Sequence, residues 1–83
     1  MKLVYFAWVR ERIGLAEEEV TPPDSVTTVH ELLDWLKTRG EEYAEALKYP
    51  EAIRVAINQE HVRQNEPIAG AREIGLFPPM TGG

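Results

Sequence analysis

Few side chains in this sequence are equipped for covalent chemistry. Cysteine is absent, which excludes a thiol nucleophile, a thiolate metal site and a disulfide framework together. The two histidines, His30 and His61, fall in neither an H-x-x-x-H nor an H-E-x-x-H spacing, so no metal site is expected. Ser25 is the single serine and follows Pro23-Asp24, a turn setting without an adjacent general base. The glycines form neither G-x-x-x-x-G-K-[ST] nor G-x-G-x-x-G, so no backbone cradle for a nucleotide phosphate is present. The remaining chemical group is a backbone one, at the end of "FPPMTGG", Phe77 to Gly83.

Pro78 and Pro79 have no N–H to give a sheet, so they end the pairing of any preceding strand and favour polyproline II. At about 3.1 Å per residue, Pro78, Pro79, Met80, Thr81, Gly82 and Gly83 reach on the order of 19 Å from the body. Gly82 and Gly83 lack Cβ atoms, which lets the tip pass a narrow channel and other groups approach its backbone. The terminal carboxylate of Gly83 is the group presented there. A carboxylate is a poor electrophile and this chain has nothing to activate it, so a second protein would have to convert it to an acyl-adenylate with ATP. The competing reading is an ordinary frayed chain end.

The elements that would carry this tail are legible to different degrees. "KLVYFAWV", Lys2 to Val9, is apolar on both parities and reads as a central strand covered on both faces, followed by a polar turn from Arg10 that Gly14 closes. "EEEVT" before Pro22-Pro23 reads as a short edge strand. Thr28 and Glu31 make a T-x-x-E capping box, with Val29, Leu32, Leu33 and Leu36 at i, i+3, i+4 and i+7. This is an amphipathic helix of about three turns, with Gly40 as the left-handed residue past its end. Tyr43, Ala44 and Leu47 indicate a further short helical piece before Pro50. Ile53, Val55 and Ile57 alternate as a strand, Asn58-Gln59 turns it, "EHVR" returns, and "EIGLF" is the last strand.

The expected architecture is α+β, a ubiquitin-like β-grasp: a mixed four- or five-stranded sheet with one main helix packed on one face, the first and last strands side by side and parallel in the middle. A single domain over residues 1–77 and a projecting tail over 78–83 are expected. The 83 residues are 43% hydrophobic and 28% charged, the composition of a folded globule. A net charge of −5 disfavours nucleic acid as a partner. The runs Glu17-Glu18-Glu19 and Glu41-Glu42 with Glu45 read as solvated faces. Leu3 to Val9, the longest apolar run, is too short to span a membrane, and the protein is read as cytoplasmic.

Four segments together resemble the MoaD family, the small, sulfur-carrying subunits of molybdopterin synthase. "YFAWVRERIG" is similar to the family's F-A-x-x-R-E-x-x-G, "TVHELLDWL" to its helix, "VAINQEHV" to its V-N-Q hairpin and "EIGLFPPMTGG" to its close. The F-P-P-x-T-G-G ending is the specific signal. Two departures are "GARE", Gly70 to Glu73, where D-G-D-E is common, and His61 at a hairpin position that is often apolar. The resemblance implies a carrier that binds no cofactor itself. An E1-like adenylating enzyme of the MoeB type would use ATP on Gly83, and a thiocarboxylate would form there. The tail would enter a MoaE-type large subunit, in a heterotetramer of two small and two large subunits, and pass sulfur to cyclic pyranopterin monophosphate. Phe6, Phe77 and His61, with Arg10 as a polar anchor, are the expected partner-binding residues on the sheet face opposite the helix. A carrier of the thiamine thiazole type, a ubiquitin-like modifier and a plain interaction module are the alternatives.

Overall fold

The computed structural model describes residues 1–79. Five strands, β1 (Lys2–Tyr5), β2 (Glu17–Glu19), β3 (Arg54–Ile57), β4 (Glu60–Val62) and β5 (Glu73–Phe77), form one sheet in the order β2-β1-β5-β3-β4. The first and last strands are neighbours and run parallel, Leu3 opposite Ile74 and Tyr5 opposite Leu76, as the sequence predicts. All other pairings are antiparallel. β5 is therefore the middle strand, and the segment that leaves it starts from the best-anchored part of the sheet.

Three helices, α1 (Ala7–Ile13), α2 (Val29–Lys37) and α3 (Glu41–Ala46), and a 3₁₀ turn, Pro50–Ala52, complete the described residues. α2 has the predicted capping box: the Thr28 side chain accepts from the Glu31 N–H while the Glu31 carboxylate accepts from the Thr28 N–H at 3.1 Å. Its stripe of Val29, Leu32, Leu33 and Leu36 is completely buried. The opposing sheet face supplies Leu3, Tyr5, Val55, Ile74 and Leu76 to the same core, because alternate residues of a strand share a face. Asn58 and Gln59 both take positive φ, 49° and 72°, the pair of left-handed residues that a two-residue hairpin turn requires.

Three expectations fail locally. Trp8 and Val9 are helical, and the polar turn after them is the rest of α1. The chain leaves the sheet at Phe6, with Ala7 at φ 51°, and from there Val9 and Ile13 bury at i, i+4 while Trp8 and Arg12, also four apart, stack. A short run apolar on both parities does not distinguish a covered strand from a strand running into a helix. Gly14 does close the segment, at φ 90°. Gly40 is extended (φ 163°) and starts α3, whereas α2 ends one residue after Lys37 at Thr38 in right-handed conformation.

The third concerns the acidic run. Glu17 and Glu19 are exposed, but Glu18 lies opposite Leu3 and so turns to the core side. Its Oε2 accepts hydrogen bonds from the hydroxyls of Tyr5 and Tyr43, both at 2.6 Å, and its Oε1 meets Arg39 at 3.2 Å. Burial opposes the charge on Glu18, but the bonds from Tyr43, Tyr5 and Arg39 outweigh it and hold its pKa below the ordinary 4.5. A carboxylate with three partners thus ties β2 to β1 and α3.

Candidate functional site

The sheet face opposite the helices carries Val4, Gly75, Ala56 and His61 in one row across β1, β5, β3 and β4. Phe77 and its partner Arg54 stand in the next row. Phe6, whose N–H is held by the Leu76 carbonyl at 3.1 Å, extends β1 toward that row. The Phe6 and Phe77 rings stack almost parallel, centroids 4.2 Å apart and planes 3° from coplanar. The His61 ring meets Phe77 at 5.4 Å, tilted by 40°.

Gly75 is what makes room for the stack. It is buried on this nominally open face, and a Cβ there would sit 3.0 Å from Phe77 Cε1 and 3.2 Å from Phe6 Cε2. The backbone of β5 is the floor on which both rings lie. Phe6 nevertheless keeps 37% of its surface exposed, so the stack is a patch facing outward rather than part of the core. Apolar aromatic surface of this kind, without a covering element, is characteristic of interaction sites.

Phe6, Ala7, Arg54, His61, Phe77, Pro78 and Pro79 line one open groove of about 500 Å³. The structure therefore brings together Phe6, His61, Phe77 and the first two tail residues. Arg10 is exposed on α1 and is not among the residues lining this groove. Arg54 occupies the cationic position beside Phe77; its alternation with Val55 was the available signal, but only pairing with Phe77 shows which face it shares. Pro78 and Pro79 are half-buried. Met80, Thr81, Gly82 and Gly83 lie outside the described residues.

Pro79 also borders a second groove, on the helix side, together with Trp8, Arg12, Glu45, Lys48 and Tyr49. Sequence reasoning passed over Trp8 and Arg12 here, because only the helical conformation of α1 sets them on one side. Among the described residues no group of three or more His, Asp or Glu side chains could hold a metal ion, and no helix is long and apolar enough to cross a membrane.

A five-stranded mixed sheet with parallel first and last strands at its middle, helices on one face and an aromatic patch on the other defines a ubiquitin-like β-grasp protein of the type found among sulfur carriers and small modifiers. The pattern of the ThiS family matches residues 3–83, and the chain belongs to that family. It is 32% identical to the molybdopterin synthase sulfur carrier subunit of Escherichia coli strain K12, over the whole of this chain and 99% of that protein. The corresponding subunit of Haemophilus influenzae is 31% identical over the same shares. Among solved structures, a Pyrococcus furiosus protein described as molybdopterin converting factor, subunit 1, superposes with a TM-score of 0.73 at 27% identity, covering 95% of each chain. Small archaeal modifier protein 1 of Haloferax volcanii superposes with a TM-score of 0.72 at 28% identity, covering 96% of this chain and 97% of its own.

Proposed function

We propose that this protein is the sulfur carrier of molybdenum cofactor biosynthesis, the small subunit of a molybdopterin synthase. The observation that carries the reading is that Pro78 and Pro79 leave the central strand β5 beside the Phe6–Phe77 stack, in a chain that ends in F-P-P-M-T-G-G and is alike from end to end to two molybdopterin synthase sulfur carrier subunits. In this reading the stack, His61 and Arg54 face the MoaE-type large subunit, and Pro78-Pro79 direct the tail into its cleft. Anchoring by β5 fixes where the tail starts, and the prolines restrict its direction, so less conformational freedom is lost on entry.

The chemistry begins with an oxygen of the Gly83 carboxylate attacking the α-phosphorus of ATP on a MoeB-type enzyme. Pyrophosphate leaves, and the product is a mixed anhydride whose acyl carbon is now electrophilic. Hydrosulfide, the sulfide-level form of the donated sulfur, attacks the acyl carbon and displaces AMP, leaving a thiocarboxylate. In the large subunit its sulfur attacks cyclic pyranopterin monophosphate to give a thioester joining carrier and pterin; water cleaves the acyl C–S bond, returning the Gly83 carboxylate and leaving the sulfur on the pterin, and a second transfer completes the dithiolene. The carrier supplies no acid or base; Lys and Arg of the large subunit would, in a complex of two small and two large subunits. A chain without cysteine suits this role, since the sulfur rides on the backbone terminus.

Incubation with the adenylating enzyme, ATP and a sulfur donor, followed by intact-mass measurement, tests the reading. The expected result is replacement of one oxygen by sulfur on the full chain and none on a chain lacking Gly83. A Gly83-deleted chain that still acquired sulfur and still converted the cyclic pterin would overturn it. The likeness to small archaeal modifier protein 1 favours a second reading, a modifier conjugated through Gly83; a covalent ladder on target proteins in place of the sulfur-bearing mass would establish that instead.

A further inference from the structure

The charges of the chain are unevenly placed with respect to the root of the tail. Although the net charge is −5, the two grooves that Pro79 borders contain Arg12, Lys48 and Arg54 against a single carboxylate, Glu45. Of the six other cations, Lys2 pairs with Glu17 at 2.9 Å, Lys37 with Asp34 at 3.7 Å and Arg39 with Glu18 at 3.2 Å, while Arg10, Arg63 and Arg72 line neither of these two grooves. Among the described residues Arg12, Lys48 and Arg54 form no ion pair. Two of them are instead set against rings. The Arg12 guanidinium carbon is 4.4 Å from the centre of Trp8 and the Lys48 Nζ is 5.8 Å from that of Tyr49. Such contacts hold a cation in place while leaving its charge unneutralised. Tyr49 is 64% exposed, so this groove is open to a partner.

We propose that these residues form a cationic collar around the tail root, and that it docks against carboxylates rimming the cleft of the adenylating enzyme that receives the tail. The inference rests on the sulfur-carrier reading and adds to it the chemistry of the partner's surface. An acidic protein that must bring a carboxylate up to ATP meets like charge on approach. A positive end at the tail root orients the encounter, and carboxylates on the partner's rim complete the match. The collar also places contacts on both sides of the tail, Arg54 on the sheet side and Arg12 and Lys48 on the helix side, so the tail is centred as it enters.

The test is steady-state adenylation, read as pyrophosphate release, with the full chain, its MoeB-type enzyme and ATP across a range of ionic strength. For the double variant Arg12→Glu, Lys48→Glu, KM for the carrier should rise about tenfold at low salt, with kcat within about twofold, because the interactions lost are those of encounter and docking. The salt dependence of kcat/KM should flatten as well. Arg72→Glu, a charge reversal in the groove it shares with Lys2 and Asn58, should leave KM within about twofold. Should the double reversal lower the melting temperature, Arg12→Gln with Lys48→Gln gives the same comparison with a smaller rise. An unchanged KM and salt slope in the collar variants, or an equal rise in Arg72→Glu, overturns the collar while leaving the carrier reading intact. A wild-type chain that releases no pyrophosphate overturns the carrier reading and the collar with it.

Discussion

Gly75→Ala separates the stability of the fold from the shape of its aromatic face. The new Cβ would lie 3.0 Å from Phe77 and 3.2 Å from Phe6, closer than ordinary van der Waals contact, so one or both rings must move by a few tenths of an ångström or swing off the sheet. Phe6 is partly exposed and free to do so. Losing the stacked geometry costs about 0.5–1.5 kcal/mol, while alanine in a strand interior recovers about 0.5–1 kcal/mol of backbone entropy that glycine forfeits. The two nearly cancel, and the melting temperature should move by less than about 8 °C. Binding does not share in the compensation. Aromatic anchors at an interface contribute more than about 1 kcal/mol each, so affinity for the large subunit should fall about tenfold. Thermal melts beside calorimetric titration with that subunit decide the point. A variant that melts far lower, or one that binds as tightly as the parent, would refute the assignment of Gly75 as the floor of a docking face.

Leu32→Ala empties a fully buried site of α2 and should cost about 2–5 kcal/mol in denaturant unfolding. Phe77→Ala, in a chain that remains folded by circular dichroism, should weaken association with the large subunit at least about tenfold; unchanged binding would remove Phe77 from the interface. The Glu18 cluster makes stability depend on pH at both ends. Burial and the bonds to Glu18 push the Tyr43 hydroxyl from 10.0 up to about 12 and raise Tyr5 further. For these groups the folded pKa exceeds the unfolded one, so their contribution is complete below about pH 10 and is lost as pH climbs toward the folded values. Glu18 has the opposite sign: its pKa is lowered on folding, so its contribution is present above 4.5 and is lost as pH falls through its folded value. Tyr43→Phe should lower stability by about 1.5–3 kcal/mol at neutral pH and flatten the alkaline fall in melting temperature.

Features whose physics is local were legible in the sequence. The capping box of Thr28 and Glu31, the stripe of α2, the turn at Asn58-Gln59 and the limits of β5 each depend on residues a few positions apart, and all stand where they were expected. The parallel pairing of β1 and β5 was expected from the β-grasp arrangement that the order of the elements matched, and it is present. Tertiary structure alone decided features that depend on distant neighbours. Val9 and Ile13 are helical because α3 and the sheet offer them a buried site that a longer β1 would not reach. Glu18 is half-buried on the core side because Tyr5, Arg39 and Tyr43, none of them near it in sequence, converge on its carboxylate. Nothing about Gly75 in the sequence announces two rings lying over it. The gathering of Arg12, Lys48 and Arg54 around Pro79 is likewise a matter of where three elements end in space, since charge composition gives the sum of the charges and only the fold gives their positions.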